Sequence, residues 1–268
     1  MRVILAQPRG FCAGVERAID VVDKSIRVFE SPVYVRHEIV HNEHVVEDLR
    51  SKGAIFVDDV DEIPQGAPVV FSAHGVSKAV MGEAKNRSLR AVDATCPLVT
   101  KVHRQVSRFH RLGYEILLIG HASHPEVEGT LGQLPGGIQL VQNTEDAERV
   151  EVGKASKVAY VTQTTLSLDD TAEIVQVLRR RFPALQSPPT DDICYATQNR
   201  QLTVKRLAEI VDVVIVIGAA NSSNSNRLVE VARSVGVPAH RVSSAGELRS
   251  DWFSNKRTVG LTAGASVP

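Results

Sequence analysis

Three cysteines, Cys12, Cys96 and Cys194, stand 84 and 98 residues apart in a chain of 268 residues. Each opens a stretch with helical periodicity: Phe11-Cys12-Ala13-Gly14-Val15, Thr95-Cys96-Pro97-Leu98-Val99 and Ile193-Cys194-Tyr195-Ala196-Thr197. Pro97 suits a first helical turn. An odd number of cysteines makes a poor disulfide framework. A helix start offers partial positive charge and free N–H groups, which lowers a thiol's pKa and favours the thiolate. Three thiolates brought together can hold a metal centre. Structural zinc usually takes CxxC-type pairs, and the sequence has none. A [4Fe–4S] cluster normally takes four cysteines, so three leave one iron with an open position for a substrate oxygen. The plain alternative is three buried cysteines with no common task.

Polar motifs recur at or just past strand ends, where open α/β sheets place ligands. They are Val40-His41-Asn42, Ser72-Ala73-His74-Gly75, His121-Ala122-Ser123-His124-Pro125-Glu126, Thr162-Gln163-Thr164-Thr165, Asn221 through Asn226, and Thr262 through Ser266. A lone histidine is usually structural, but three in equivalent strand-end positions point to function. The Asn/Ser run precedes a clear helix, so it reads both as a cap and as an anion site. Glu126, two residues after His124 in a loop of small residues, reads either as a general acid or as a helix-start carboxylate. His124 and Thr164 are its nearest relay candidates. Neither a GxxxxGK[ST] loop nor a GxGxxG fingerprint is present.

These residues need a frame. Strands are expected at Val3–Ala6, Val33–Arg36, Ala54–Val57, Val69–Ser72, Glu115–Ile119, Lys157–Thr162, Asp212–Ile217 and Thr258–Leu261, alternating with helical segments. Gly53 and Gly113 sit where helix C-caps belong. The alternation predicts an α/β fold with small, mainly parallel sheets. The cysteine period predicts three similar lobes, at 1–95, 96–192 and 193–268. Lys plus Arg equals Asp plus Glu at 31 each, and aromatic residues make up 4%. That balance argues against nucleic acid or an anionic membrane as partner. An anion must then be held locally, by neutral donors, imidazolium and a helix start. No apolar run has the length of a membrane span and the N-terminus lacks a signal-peptide pattern, so the sequence reads as cytoplasmic.

Together the motifs resemble the LytB/IspH family of 4-hydroxy-3-methylbut-2-enyl diphosphate reductases, which act last in the methylerythritol phosphate route to isoprenoids. The resemblance spans essentially the whole chain. It rests, in order, on Arg9 through Val15, His41-Asn42, Ser72 through Gly75, Asp93 through Pro97, His121 through Gly129, Thr162 through Ser167, Asp191 through Asn199, Asn221 through Leu228, and Thr262 through Ser266. It implies three lobes around one central [4Fe–4S] cluster, held by Cys12, Cys96 and Cys194 with one iron open to the substrate hydroxyl. It implies that the allylic diphosphate is bound by His41, His74, His124, Ser222, Ser223, Asn224 and Ser266. Glu126 would deliver the proton, and Thr164 would touch the substrate hydroxyl or an ordered water. Two electrons, arriving singly from ferredoxin or flavodoxin, and two protons would expel water to give isopentenyl or dimethylallyl diphosphate. The resemblance also implies a closing helix and strand beyond the final Ala-Gly-Ala-Ser motif, past Pro268.

The rival within enzymes is a redox-neutral dehydratase using the cluster as Lewis acid, which would need no reductant. From another class, a cluster sensor or scaffold would need no proton donor such as Glu126. A cysteine hydrolase needs one activated thiol with its base, not three equivalent thiols.

Overall fold

The computed structural model describes residues 1–30 and 32–268. The chain begins with β1 (Arg2–Leu5), α1 (Ala13–Phe29), β2 (Val33–Arg36), α2 (Glu43–Ser51), β3 (Ala54–Val57), β4 (Pro68–Phe71), α3 (Lys78–Asn86) and β5 (Arg90–Asp93). It continues through α4 (Pro97–Arg111), β6 (Glu115–Ile119), α5 (Pro125–Leu131), β7 (Ile138–Val141), α6 (Thr144–Arg149), β8 (Val158–Thr162) and α7 (Leu168–Arg181). The last third holds α8 (Tyr195–Ala208), β9 (Val213–Ile217), α9 (Ser223–Ser234), β10 (Ala239–Val242) and β11 (Thr258–Ala263).

The strands form three separate parallel sheets, ordered β3-β2-β4-β5, β7-β6-β8 and β1-β11-β9-β10. Helices cover both faces, so a central strand must be apolar on both sides. In β6, Leu117 and Ile119 pack with Ile174 and Leu178 of α7, while Ile116 and Leu118 pack with Val102, Val106 and Phe109 of α4. That strand is the run Glu-Ile-Leu-Leu-Ile. In α4 the buried residues Val99, Val102, Val106 and Phe109 recur at helical spacing, giving the apolar stripe that docks it. Gly53 and Gly113 follow the C-caps of α2 and α4 with φ of +110° and +77°, the left-handed geometry that ends a helix.

The three sheets share one plan. β1 lies at the edge beside β11, β5 lies at the edge beside β4, and Gln186 makes a parallel bridge beside β8 at Ala159. Each of these edge segments leads into a cysteine. The cysteine N–H then bonds back to the loop beyond the neighbouring strand: Cys12 to Ala265 O at 3.2 Å, Cys96 to Ala73 O at 3.0 Å, and Cys194 to Thr164 O at 3.0 Å. The helix that follows packs in the next lobe, α1 on β2 and β4, α4 on β6 and β8, α8 on α9 and β11. Every cysteine therefore sits where the chain crosses from one lobe to the next.

This corrects the expected lobe limits at one place. The sequence division puts residues 1–95 in the first lobe, but β1 pairs with β11 from Arg2↔Thr258 to Leu5↔Leu261 and belongs to the third sheet. Among the described residues no helix is long and apolar enough to cross a membrane.

Candidate active site

Cys12, Cys96 and Cys194 occupy the N-cap positions of α1, α4 and α8, and all three are free thiols. They line one cavity at the meeting point of the lobes, together with His41, His74, His124, Glu126, Thr164, Ser222, Ser223, Asn224 and Ser266. The three cysteines and the candidate catalytic and substrate-binding residues thus face the same space.

The thiol end of that space is shaped by Gly14. A Cβ at this position would lie 2.7 Å from Cys96 Sγ and 3.8 Å from Cys12 Sγ, so only glycine leaves room between the two sulfurs. Among the described residues no three His, Cys, Asp or Glu side chains converge as the ligands of one ion. Three thiols around a shared, glycine-cleared space therefore fit a group with several separate points of attachment better than a lone ion. One expectation is reversed. Burial pushes the Cys96 and Cys194 thiols up, and outweighs the opposing hydrogen bonds from the N–H groups of Leu98 and Val99, and from Thr197. A helix start alone does not ionise these sulfurs.

The opposite end gathers a helix start, hydroxyls, an amide and three imidazoles. Ser222 caps α9, its Oγ accepting from Ser225 N–H at 3.3 Å, and the first N–H groups of that helix have no partner within it. Asn224, only 5% exposed, accepts from Ala265 N–H at 2.9 Å and donates to Thr197 Oγ1 at 3.4 Å. Ser266 Oγ donates to His41 O at 3.0 Å. The rings of His41, His74 and His124 cluster with centroids 4.3, 5.6 and 5.7 Å apart. His41 Nδ1 lies 3.3 Å from Glu38 Oε2, while its Nε2 is buried without a partner. His124 Nδ1 accepts from Glu126 N–H at 3.1 Å, which places the neutral ring's proton on Nε2. Burial first, and then the neighbouring imidazoles, hold His74 well below the usual range and His124 down at about 3. Burial thus works against the expected imidazolium at these two positions.

Between the two ends stands Glu126, 3% exposed. Its Oε1 accepts Thr164 N–H at 2.6 Å and its Oε2 accepts Thr164 Oγ1 at 2.9 Å. Burial raises its pKa to about 7 against these two bonds, with Asp192 adding to the rise. The residue does lie in the first turn of α5, as a helix-start acid would, but its carboxyl is turned inward. Thr164 is its direct partner. His124 is not, because its Nδ1 is engaged by the Glu126 main chain rather than by the carboxyl.

Two further residues reach the cavity without having been singled out. Thr165 Oγ1 donates to Ser223 Oγ at 2.9 Å, and Thr197 Oγ1 lies 3.1 Å from Cys194 Sγ. Thr197 follows Cys194 by three residues, a helical spacing that put it on the same face. His121, in the same motif as His124, turns away and meets Arg227 at 3.0 Å.

Three lobes that each send a thiol to a common cavity, with a buried acid and a helix start on its wall, are the frame of an α/β enzyme. The chain belongs to the LytB protein family, whose model matches residues 3–268. It is 58% identical over 266 residues to a 4-hydroxy-3-methylbut-2-enyl diphosphate reductase of Ralstonia nicotianae, covering 99% of this chain and 82% of that protein. The same identity holds over 268 residues with the protein of that name from Burkholderia pseudomallei, covering 100% and 86%. Among known structures, the E-1-hydroxy-2-methyl-but-2-enyl-4-diphosphate reductase of Plasmodium falciparum superposes with a TM-score of 0.97 at 41% identity, over 100% of this chain and 84% of the other.

Proposed function

We propose that this chain catalyses the reductive dehydroxylation of 4-hydroxy-3-methylbut-2-enyl diphosphate to isopentenyl and dimethylallyl diphosphate, the closing step of the methylerythritol phosphate route. The observation that carries this reading is the single cavity in which three thiols, one raised carboxyl and an anion cradle face one another. When bound, a [4Fe–4S] cluster on Cys12, Cys96 and Cys194 with one open iron supplies single electrons and Lewis acidity at the leaving oxygen. A small one-electron carrier of the ferredoxin or flavodoxin type is the partner this chemistry asks for.

The protein's own residues do the rest. The α9 start, with Ser222, Ser223 and Asn224, binds the diphosphate, and the imidazoles of His41, His74 and His124 close over it with Ser266. With the diphosphate held there, the allylic carbon chain extends toward the thiols across the same cavity. Glu126, buried beside Thr164, has its pKa raised to about 7, so it can carry a proton close to neutral pH next to the leaving hydroxyl. Thr164 Oγ1 orients that carboxyl and offers a hydroxyl to the substrate oxygen. Overall, substrate, two electrons and two protons give product and water. Anaerobic turnover with a chemical reductant, read as the two diphosphate products, tests this directly. Product formation without reductant would favour the redox-neutral dehydratase instead.

Two expected results probe the ends of the cavity. Asn224→Ala and Ser222→Ala should weaken both substrate and inorganic diphosphate, by about 1–3 kcal/mol for each hydrogen bond lost to a charged group. Titration calorimetry checks this, and unchanged diphosphate affinity in both variants would reduce these residues to helix caps. At the other end, Gly14→Ala places a methyl 2.7 Å from Cys96 Sγ. A folded protein with less than half the parent's iron is expected, on the order of the loss seen when a metal site's supporting shell is disturbed. Parental iron content in Gly14→Ala would show that the space between the sulfurs is not used.

A further inference from the structure

The cysteines are held by more than their own loops. Arg17 and Lys101 each lie five residues past a cysteine, and Arg200 lies six past the third. Each therefore projects from the second turn of the helix that its cysteine opens. Arg17 donates to Ala94 O at 3.3 Å and Thr95 O at 3.1 Å, the two carbonyls just before Cys96. Lys101 donates to Thr190 O at 3.1 Å and Asp191 O at 2.5 Å, and its charge lies 3.2 Å from the Asp192 carboxylate, all just before Cys194. Arg200 donates to Gly10 O and to Phe11 O at 3.3 Å, the two carbonyls just before Cys12. The pattern runs head to tail and closes on itself.

We propose that Arg17, Lys101 and Arg200 are the positioning residues of the thiol triangle, each spanning one of its edges by clamping the helix behind one cysteine to the main chain in front of the next. Arg17 and Arg200 meet only neutral carbonyls at these places, whereas Lys101 also faces the buried Asp192 carboxylate. Carbonyls in the turn before a helix have few partners, and a charged donor holds them more firmly than a neutral one. The device acts in lobe after lobe through the same geometry, although one member is a lysine and the two arginines differ by one residue in spacing. What is common is the function of the contact: it fixes the distance between successive N-caps. A rigid triangle matters because a cluster with three attachment points tolerates little drift in any of them.

This inference rests on the proposed cluster, and the experiment separates the two. Arg17→Met, Lys101→Met and Arg200→Met keep much of the stem but remove the donors, while Arg17→Lys and Lys101→Arg keep a charged donor. Each protein is loaded anaerobically and read by iron release to a ferrous chelator and by the electron paramagnetic resonance line shape after reduction. Thermal unfolding of the metal-free chain is followed alongside. The methionine variants should release iron about tenfold faster than the parent, as expected for charge-assisted bonds lost from a supporting shell. Their line shapes should broaden, and the lysine–arginine exchanges should stay within about twofold of the parent. Release at the parental rate in Arg17→Met and Lys101→Met overturns the clasp. So does faster release that the exchanges fail to restore, or that simply follows a lower unfolding temperature. Arg200 is the most buried of the three, and if Arg200→Met does not fold, the other two edges decide the matter. A parent that takes up no iron overturns the proposed function itself, and the clasp with it.

Discussion

Glu126→Gln is expected to lower turnover by about 10²-fold or more, the usual size of a general acid's contribution. The amide keeps the size of the carboxyl and can still meet Thr164, whose N–H and Oγ1 hold the two carboxyl oxygens at 2.6 and 2.9 Å. Substrate affinity and iron content should therefore survive, and only the proton is lost. Hydroxide is a very poor leaving group, so that proton is needed at C–O cleavage. The pKa of about 7 gives the pH dependence its sign. The acid form dominates below that value, so the parent's turnover should fall as pH rises through about 7, and a bound diphosphate would push the fall higher. Stability follows the same direction. A carboxyl with a raised folded-state pKa contributes most below its ordinary value near 4.5 and loses that contribution as pH rises toward about 7. Glu126→Gln should accordingly match the parent's stability in acid and exceed it at pH 8. Turnover within a few-fold of the parent would make Glu126 structural and leave the substrate's own diphosphate as the proton source.

The second large effect is at the sulfurs. Cys12→Ser, Cys96→Ser and Cys194→Ser should each abolish activity, because a hydroxyl is a far poorer ligand for iron–sulfur clusters than a thiolate. The parent, purified without oxygen, should be brown and carry about four irons per chain, the content of one cubane. Iron and sulfide analysis of all four proteins checks this. The three losses should be equal, since each cysteine holds an equivalent place at a lobe crossover. A colourless, active parent, or one holding stoichiometric zinc, would rule the cluster out.

Much of this architecture is legible in the residues. β2, β3 and β6 stand at their expected limits, and most other strands shift by a residue. Those are runs such as Val-Tyr-Val-Arg and Glu-Ile-Leu-Leu-Ile, where apolar content alone identifies a buried strand. β5, β7 and β10 escape the same reasoning, and each lies at a sheet edge. Arg90-Ala91-Val92-Asp93 and Ala239-His240-Arg241-Val242 carry two polar residues in four and bury only part of their surface. Their strand character comes from pairing with β4 and β9, a tertiary effect that no local window records. The placement of β1 is invisible for the same reason, since its partner lies more than 250 residues away in sequence. At the site, residue types and motif order bring out the thiols, the acid and the Asn/Ser run. The protonation states do not follow from them, because burial reverses what a helix start or a histidine cluster leads one to expect. Nor do the clasps: Arg17, Lys101 and Arg200 look like ordinary solvated helix charges until the fold closes the circle.

The pairing of β1 with β11 also sets an order of events during synthesis. The first strand leaves the ribosome with no partner, and Ile4 and Leu5 must wait for residues 258–263 before their sheet exists. The two sheets formed by β2–β5 and β6–β8 draw all their strands from contiguous chain and can close earlier, as local contacts do. Cys12 is anchored through Ala265, so it gains that contact only once β11 is in place. Until then Cys12 lacks that anchor, while the sheets that precede Cys96 and Cys194 can already be closed. Any group that the three thiols hold in common would therefore be bound only after β11 has joined β1.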